Sequence, residues 1–219
     1  MATPKLQLFS TAFEGVSFAR HQQSMAAKEA KSALRVKIAD ALAVLTTEEK
    51  KRQSKIVFDK LLNLPIFASS KRISIFLSMD GEIDTEPMVR KIFEQEQECF
   101  IPRYSKAGMQ MVKLKSMEDW ETLPLTKWNI KQPLLKDQRE DAIETGGLDL
   151  IICPGVAFTK EGCRLGHGGG YYDRFIRKLQ QIQATPPVTV AVAFKEQVLD
   201  EIPVEDTDTT IDRVLFDDD

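Results

Sequence analysis

The chain has 219 residues, of which 42% are hydrophobic and 29% charged, and 30 basic against 33 acidic side chains leave a formal net charge of −3. This length suits one large α/β domain or at most two small ones. The balanced charge argues against a nucleic-acid binder, which normally carries a strong basic excess, and no apolar run approaches the roughly 20 residues that span a bilayer.

Cys99, Cys153 and Cys163 form no CxxC pair. An odd count argues against a disulfide framework, so they read as reduced thiols of an intracellular protein. With only His21 and His167, zinc sites and Ser-His-Asp triads built on histidine are disfavoured. Residues 1–27 lack a sustained period, hold the single acid Glu14, and carry Lys5, Arg20 and several Ser and Thr. They read as a frayed N-terminal extension ahead of a domain at 28–219. The alternative, a targeting segment, is weakened by its thin arginine content.

From Glu29 to Leu45 the residues Ala30, Leu34, Ile38, Ala41, Leu42 and Leu45 recur at helical spacing and mark an amphipathic helix. Thr46 with Glu49 forms a capping-box pattern for a second helix ending near Leu62, with Pro65 beyond its end. RISIFLS, Arg72–Ser78, alternates and is β-rich, hence a strand. After the polar loop MDGEIDTE, Pro87 opens a helix with Val89, Ile92 and Phe93 facing inward. Strands are expected at Cys99–Ile101 and Met109–Leu114. The stretch 116–142 has no clean period, contains Pro124 and Pro133, and reads as a surface excursion anchored by Trp120 and Trp128. The continuous apolar run Leu148–Cys153 predicts a strand buried on both faces. A helix over Tyr171–Gln183, a core strand in VTVAVAF and a short strand near Arg213–Phe216 complete the chain. The alternation of strands and helices gives the fold class: α/β, a single domain with a mainly parallel, Rossmann-like sheet and helices on both faces.

The densest feature is RLGHGGGYYDRF, Arg164–Phe175, with glycines at 166, 168, 169 and 170. In an open α/β sheet, ligands sit beyond the carboxyl ends of strands, and this segment lies between a buried strand and a helix. Bare backbone lets amides approach a phosphate closely, and the helix N-terminus adds unpaired N–H donors. Tyr171 and Tyr172 follow the last glycine where GxxxxGK[ST] needs Lys and Ser or Thr, and Tyr171 also breaks GxGxxG. The residues alone therefore leave two readings, an anion-binding loop or a tight turn without ligand. Asp173, in the first helical turn, either complements the helix dipole or holds Mg²⁺ beside a polyphosphate. Arg164 either neutralises phosphate or is simply solvated. An enzyme acting on another phosphorylated metabolite and a non-catalytic nucleotide-binding module stay open at this level.

RLGHGGGYYDR resembles the signature of the 5-formyltetrahydrofolate cyclo-ligases, the methenyltetrahydrofolate synthetases. AKSALR, RISIFLSMDGEIDT, FIPRY, WNIKQP, GGLDLIICPGVAF and VAFKEQ follow the same order as family segments, so the resemblance covers roughly Ala30 to Phe216. It implies a ligase that converts 5-formyltetrahydrofolate to 5,10-methenyltetrahydrofolate with ATP and Mg²⁺. It implies ATP contacts from Lys31, Arg35 and the loop Arg164, Leu165, Gly166, His167, Gly168, Gly169, Gly170, Tyr171 and Tyr172. The folate would meet Leu77, Glu82, Trp128 and His167 to Tyr171, and the metal would sit on Asp173 and Asp208, with Asp206 close by. Without the resemblance, Lys31 and Arg35 would be a solvated helix face, Leu77 a core residue and Glu82 a loop acid. Some members of that family carry Arg or Lys within the loop, where this chain has His167 and Gly169. The implied partners are the two small-molecule substrates, with no nucleic acid and no membrane, for a cytoplasmic or mitochondrial monomer.

Overall fold

The computed structural model of the chain describes residues 7–127 and 129–218, so the expectation for Trp128 lies outside the described residues. The first helix, α1, runs over Gln7–Ala43. It contains most of the amphipathic stretch and begins well ahead of Glu29, where that spacing starts. α2 spans Thr47–Leu62, and the Thr46 hydroxyl accepts from the Glu49 amide at 3.1 Å, as the capping pattern predicts. Pro65 opens a further short helix, α3 (Pro65–Ser69), because a missing N–H costs nothing at a first helical position. Then come β1 (Arg72–Ile75), α4 (Glu86–Glu94), the hairpin strands β2 (Glu98–Ser105) and β3 (Gly108–Leu114), and α5 (Met117–Thr122). The chain continues with β4 (Leu150–Cys153), the two-residue strands β5 (Ala157–Phe158) and β6 (Arg164–Leu165), and α6 (Tyr171–Ile182). β7 (Val188–Val192), a 3-10 turn over Lys195–Gln197 and β8 (Arg213–Leu215) follow.

Six strands form one sheet in the order β3-β2-β1-β4-β7-β8, parallel except for the β2–β3 pair. Residues alternate across its faces. Ile73, Ile75, Leu150, Ile152, Val190 and Val192 pack with Val57 and Leu61 of α2 and Met88, Val89 and Ile92 of α4. Phe100, Ile151, Cys153 and Ala191 pack with Tyr172, Phe175, Ile176 and Leu179 of α6 on the other side. This explains the uninterrupted apolar run in β4, whose four residues are all buried. From the neighbours β1 and β4 the chain continues outward in opposite directions, to β2 on one side and β7 on the other. Such a switch point leaves a crevice beyond the carboxyl ends of the two strands.

Two local departures from the sequence pattern shape that crevice. The ladder of β1 stops at Ile75 although RISIFLS reads as a strand to Ser78. Here the chain satisfies its backbone internally: Ser78 and Thr85 exchange amide-to-hydroxyl bonds at 3.0 and 3.3 Å, and the Met79 amide donates to Glu82 Oε2 at 2.8 Å. Secondly, the β5–β6 hairpin intervenes between β4 and the glycine loop. It packs on α1 through Ile38, Val156, Ala157 and Leu165. Its turn depends on Gly162, at φ +93°, where an added Cβ would lie 1.9 Å from the Ile211 carbonyl oxygen. Gly162→Ala is therefore expected to destabilise the domain by at least about 1–2 kcal/mol from the left-handed backbone alone, lowering Tm by roughly 5 °C or more. An unchanged thermal unfolding midpoint would contradict that role.

Candidate active site

Two cavities meet at the crevice, and Arg35 lines both. The larger, about 610 Å³, lies between α1, the glycine loop, the start of α6 and the segment 205–208. Lys31 and Arg35 are four apart on α1 and so share a face. Lys31 is only 7% exposed, with Nζ 2.7 Å from Asp208 and 2.9 Å from Glu205. Burial works against its charge, but the two carboxylates outweigh that and hold its pKa above the ordinary lysine value. Arg35 Nε donates to the Gly166 carbonyl at 2.9 Å, tying α1 to the loop.

Arg164 is buried, not solvated. Its guanidinium pairs with Asp173 Oδ2 at 2.8 Å, while Asp173 Oδ1 accepts from the Thr209 hydroxyl at 2.8 Å and amide at 3.2 Å. Burial pushes the Asp173 carboxyl up, but Arg164 and Thr209 prevail and leave it below the usual aspartate value. Gly168 and Gly170 adopt φ of +101° and +62°, and a Cβ on Gly166 would lie 3.0 Å from Arg164 Nη1. Gly170 precedes α6 as its cap and offers no side chain to its N-terminus, which leaves first-turn amides for a ligand.

The smaller cavity, about 370 Å³, has an apolar wall of Ile38, Leu42 and Val156, and its polar side chains are Arg35, Lys50, Asp80, Glu82, His167 and Gln197. Glu82 Oε1 lies 3.9 Å from His167 Nε2. Beside this region the Tyr171 ring meets Tyr104 edge-on at 5.1 Å. Burial, aided by the negative charge of Glu82, pushes the Tyr104 hydroxyl up to about 12.

A family model of the 5-formyltetrahydrofolate cyclo-ligases matches residues 27–217. The chain belongs to that family. It is therefore an enzyme of the ligase class. It is 47% identical over 191 residues to a mouse 5-formyltetrahydrofolate cyclo-ligase, covering 86% of this chain and 94% of the relative. A probable cyclo-ligase of Caenorhabditis elegans is 39% identical, over 87% and 94%. The solved 5,10-methenyltetrahydrofolate synthetase of Aquifex aeolicus superposes with a TM-score of 0.69 at 30% identity, covering 84% of this chain and 88% of that one.

In this cyclo-ligase most of the residues named from the sequence line one of the two cavities, while Gly169 and Tyr171 line neither. Lys31, Arg35, Arg164, Leu165, Gly166, Gly168, Gly170, Asp173 and Asp208 line the larger cavity, and Arg35, Glu82 and His167 line the smaller. Asp208, rather than Asp206, is the acid that lines the larger cavity. Leu77 instead packs in the core and borders a separate pocket of about 210 Å³ with Trp120 and Leu125. Tyr172 is buried in the core cluster between α6 and the sheet and lines neither cavity. Gln197, which no motif singles out by chemistry, is 4% exposed and donates to the Gly155 and Val156 carbonyls at 2.8 and 3.1 Å, fixing the back wall of the smaller cavity. Lys28, Arg174, Arg177 and Glu205 also line the larger cavity; Arg174 closes the RLGHGGGYYDR segment, whereas the other three look on the sequence like ordinary solvated charges.

The donor chemistry suits Mg²⁺ that arrives with phosphate. Among the described residues no three His, Cys, Asp or Glu side chains converge into a protein-only metal cage. Asp173 and Asp208 do share one cavity with the cations, and Mg²⁺ takes one or two carboxylates and completes its shell with phosphate oxygens and water.

Proposed function

We propose that this cyclo-ligase converts 5-formyltetrahydrofolate to 5,10-methenyltetrahydrofolate while ATP becomes ADP and phosphate. The observation that carries this reading is the pair of adjoining cavities, one cationic and glycine-lined, one largely apolar, joined at Arg35. The first suits a triphosphate and the second the ring system of a reduced folate.

The chemistry explains why two substrates must meet there. The N5-formyl carbon is amide-like and its oxygen a poor leaving group. The formyl oxygen attacks the γ-phosphorus as the bond to ADP breaks, giving an iminium phosphate. N10 then attacks the activated carbon, the ring closes, phosphate departs with the former formyl oxygen, and N10 loses its proton. The second step is intramolecular, so orientation supplies much of its rate. Phosphoryl transfer needs mainly positioning and charge stabilisation, which fits a site without an activated Ser, Cys or His. Lys31 and the loop amides would hold the phosphates, Arg35 would span the junction, and Glu82 would orient the pterin through hydrogen bonds. Asp173 and Asp208 would hold Mg²⁺, which when bound neutralises charge on the phosphoryl oxygens.

The test mixes protein, Mg-ATP and 5-formyltetrahydrofolate and follows methenyl-folate absorbance and ADP together. Equimolar appearance of both supports the reaction, whereas ATP binding without turnover, or ADP formed only with another acceptor, would reject it. We also take residues 1–27 as lying outside the catalytic unit, in line with a family match that begins at 27. Among the described residues no helix is long and apolar enough to cross a membrane, and the Arabidopsis relative is named a mitochondrial protein. A reporter fused to residues 1–27 decides between our cytoplasmic reading and import.

A further inference from the structure

The larger cavity carries six cationic side chains, Lys28, Lys31, Arg35, Arg164, Arg174 and Arg177, against three acids, Asp173, Glu205 and Asp208. Those acids are not distributed evenly. Lys31 holds Glu205 and Asp208, and Arg164 holds Asp173. Each of the two buried cations thus already shares its charge with carboxylates of the protein. Lys28, Arg35, Arg174 and Arg177 form no ion pair with a carboxylate among the described residues, and of these Arg35 and Arg174 donate to loop carbonyls, those of Gly166 and Gly169.

Arg174 sits on the exposed side of the first turns of α6. Its Nη2 donates to the Gly169 carbonyl at 2.9 Å, and its guanidinium carbon lies 5.2 Å from the Tyr171 ring centroid. A Cβ on Gly170 would come within 2.9 Å of Nη1, so the bare glycine is what leaves room for the guanidinium against the loop. Arginine has five donors in a rigid fork. One bond to Gly169 and stacking on Tyr171 fix the plane and leave the remaining donors available. Between Gly166 and Gly170 the loop's own polar side chain is His167, so fixed charge reaches it from outside, from Arg35 at Gly166 and from Arg174 at Gly169.

We propose that Arg174 is a ligand of the nucleotide's phosphate chain, held ready by Gly169 and Tyr171, and that it supplies the positive charge which the glycine loop lacks. This rests on the reading of the larger cavity as the nucleotide site. The contact is specific for the phosphates beyond the first, because those are what require charge in addition to the loop amides.

Calorimetric titration of a non-hydrolysable ATP analogue, ADP and AMP, each with Mg²⁺ and without folate, separates the two claims. Binding of the triphosphate analogue by the unmodified protein tests the site, and failure there overturns both readings. Given that binding, Arg174→Ala is expected to weaken the triphosphate analogue at least about 10-fold and AMP less than about 2-fold, with Tm unchanged. Arg174→Lys, which keeps a point charge but not the fork, should fall between. Equal weakening of all three nucleotides would mean that Arg174 only shapes the loop, and unaltered triphosphate affinity would mean that it touches no phosphate. Either result overturns the proposal while leaving the nucleotide site in place.

Discussion

Asp173→Ala is expected to lose folate cyclisation by at least about 100-fold, the scale of removing one preorganised electrostatic partner, and to unfold at a lower temperature. The second effect follows from what Asp173 touches. Its partner Arg164 is 5% exposed and keeps Nε without a partner among the described residues, so deleting the carboxylate strands a buried cation. Breaking a buried pair in this way costs about 3–5 kcal/mol, roughly 10 °C in Tm for a chain of this size. Loss of activity alone would therefore confuse folding with chemistry. The double variant Arg164→Met with Asp173→Leu separates them, since an apolar pair of similar volume is near neutral for stability. It should regain most of the Tm and none of the turnover. Near-normal turnover by either variant at ordinary Mg²⁺ would remove Asp173 from the catalytic machinery. The same pair sets an acid limit. The folded carboxyl is held below its usual value, so its contribution is complete above about pH 4 and fades as pH falls through the folded value. The Tm gap between the unmodified protein and Asp173→Asn should narrow correspondingly in acid.

The fold was legible wherever burial on both faces or helical spacing left a long signal. The run Leu148–Cys153 announced β4, and Thr46 with Glu49 announced the start of α2, because both patterns express local chemistry. α5 escaped notice because six residues are too few to show a 3.6-residue period, although Ser116, whose hydroxyl accepts from the Asp119 amide at 3.2 Å, is a readable cap. The β5–β6 hairpin has two-residue strands whose apolar residues serve α1, a partner more than a hundred residues away. Local pattern carries no trace of such a contact. In the candidate site, glycines at 166, 168 and 170 marked the loop because only bare backbone suits its conformation and close approaches. Arg164 and Lys31 were visible as charges, but their burial and pairing were not, since Asp173, Glu205 and Asp208 reach them through tertiary packing. Arg174 differs, since the carbonyl and ring it meets, those of Gly169 and Tyr171, lie within five residues of it in the sequence.

Lys31 and Arg35 look equivalent on the helix, and the structure separates them. Lys31 lines only the larger cavity and faces Glu205 and Asp208, whereas Arg35 lines both cavities and holds the Gly166 carbonyl. Lys31→Ala is therefore expected to raise the KM for ATP by about 10–100-fold, the range of a charged hydrogen bond worth about 1.5–3 kcal/mol, while the KM for folate stays within about 2-fold. Arg35→Ala should raise both KM values, since Arg35 lines both cavities and holds the loop at the Gly166 carbonyl. Steady-state kinetics with each substrate varied in turn decides the matter. Equal effects of Lys31→Ala on ATP and folate, or an effect of Arg35→Ala confined to ATP, would contradict the assignment of the two cavities to two substrates.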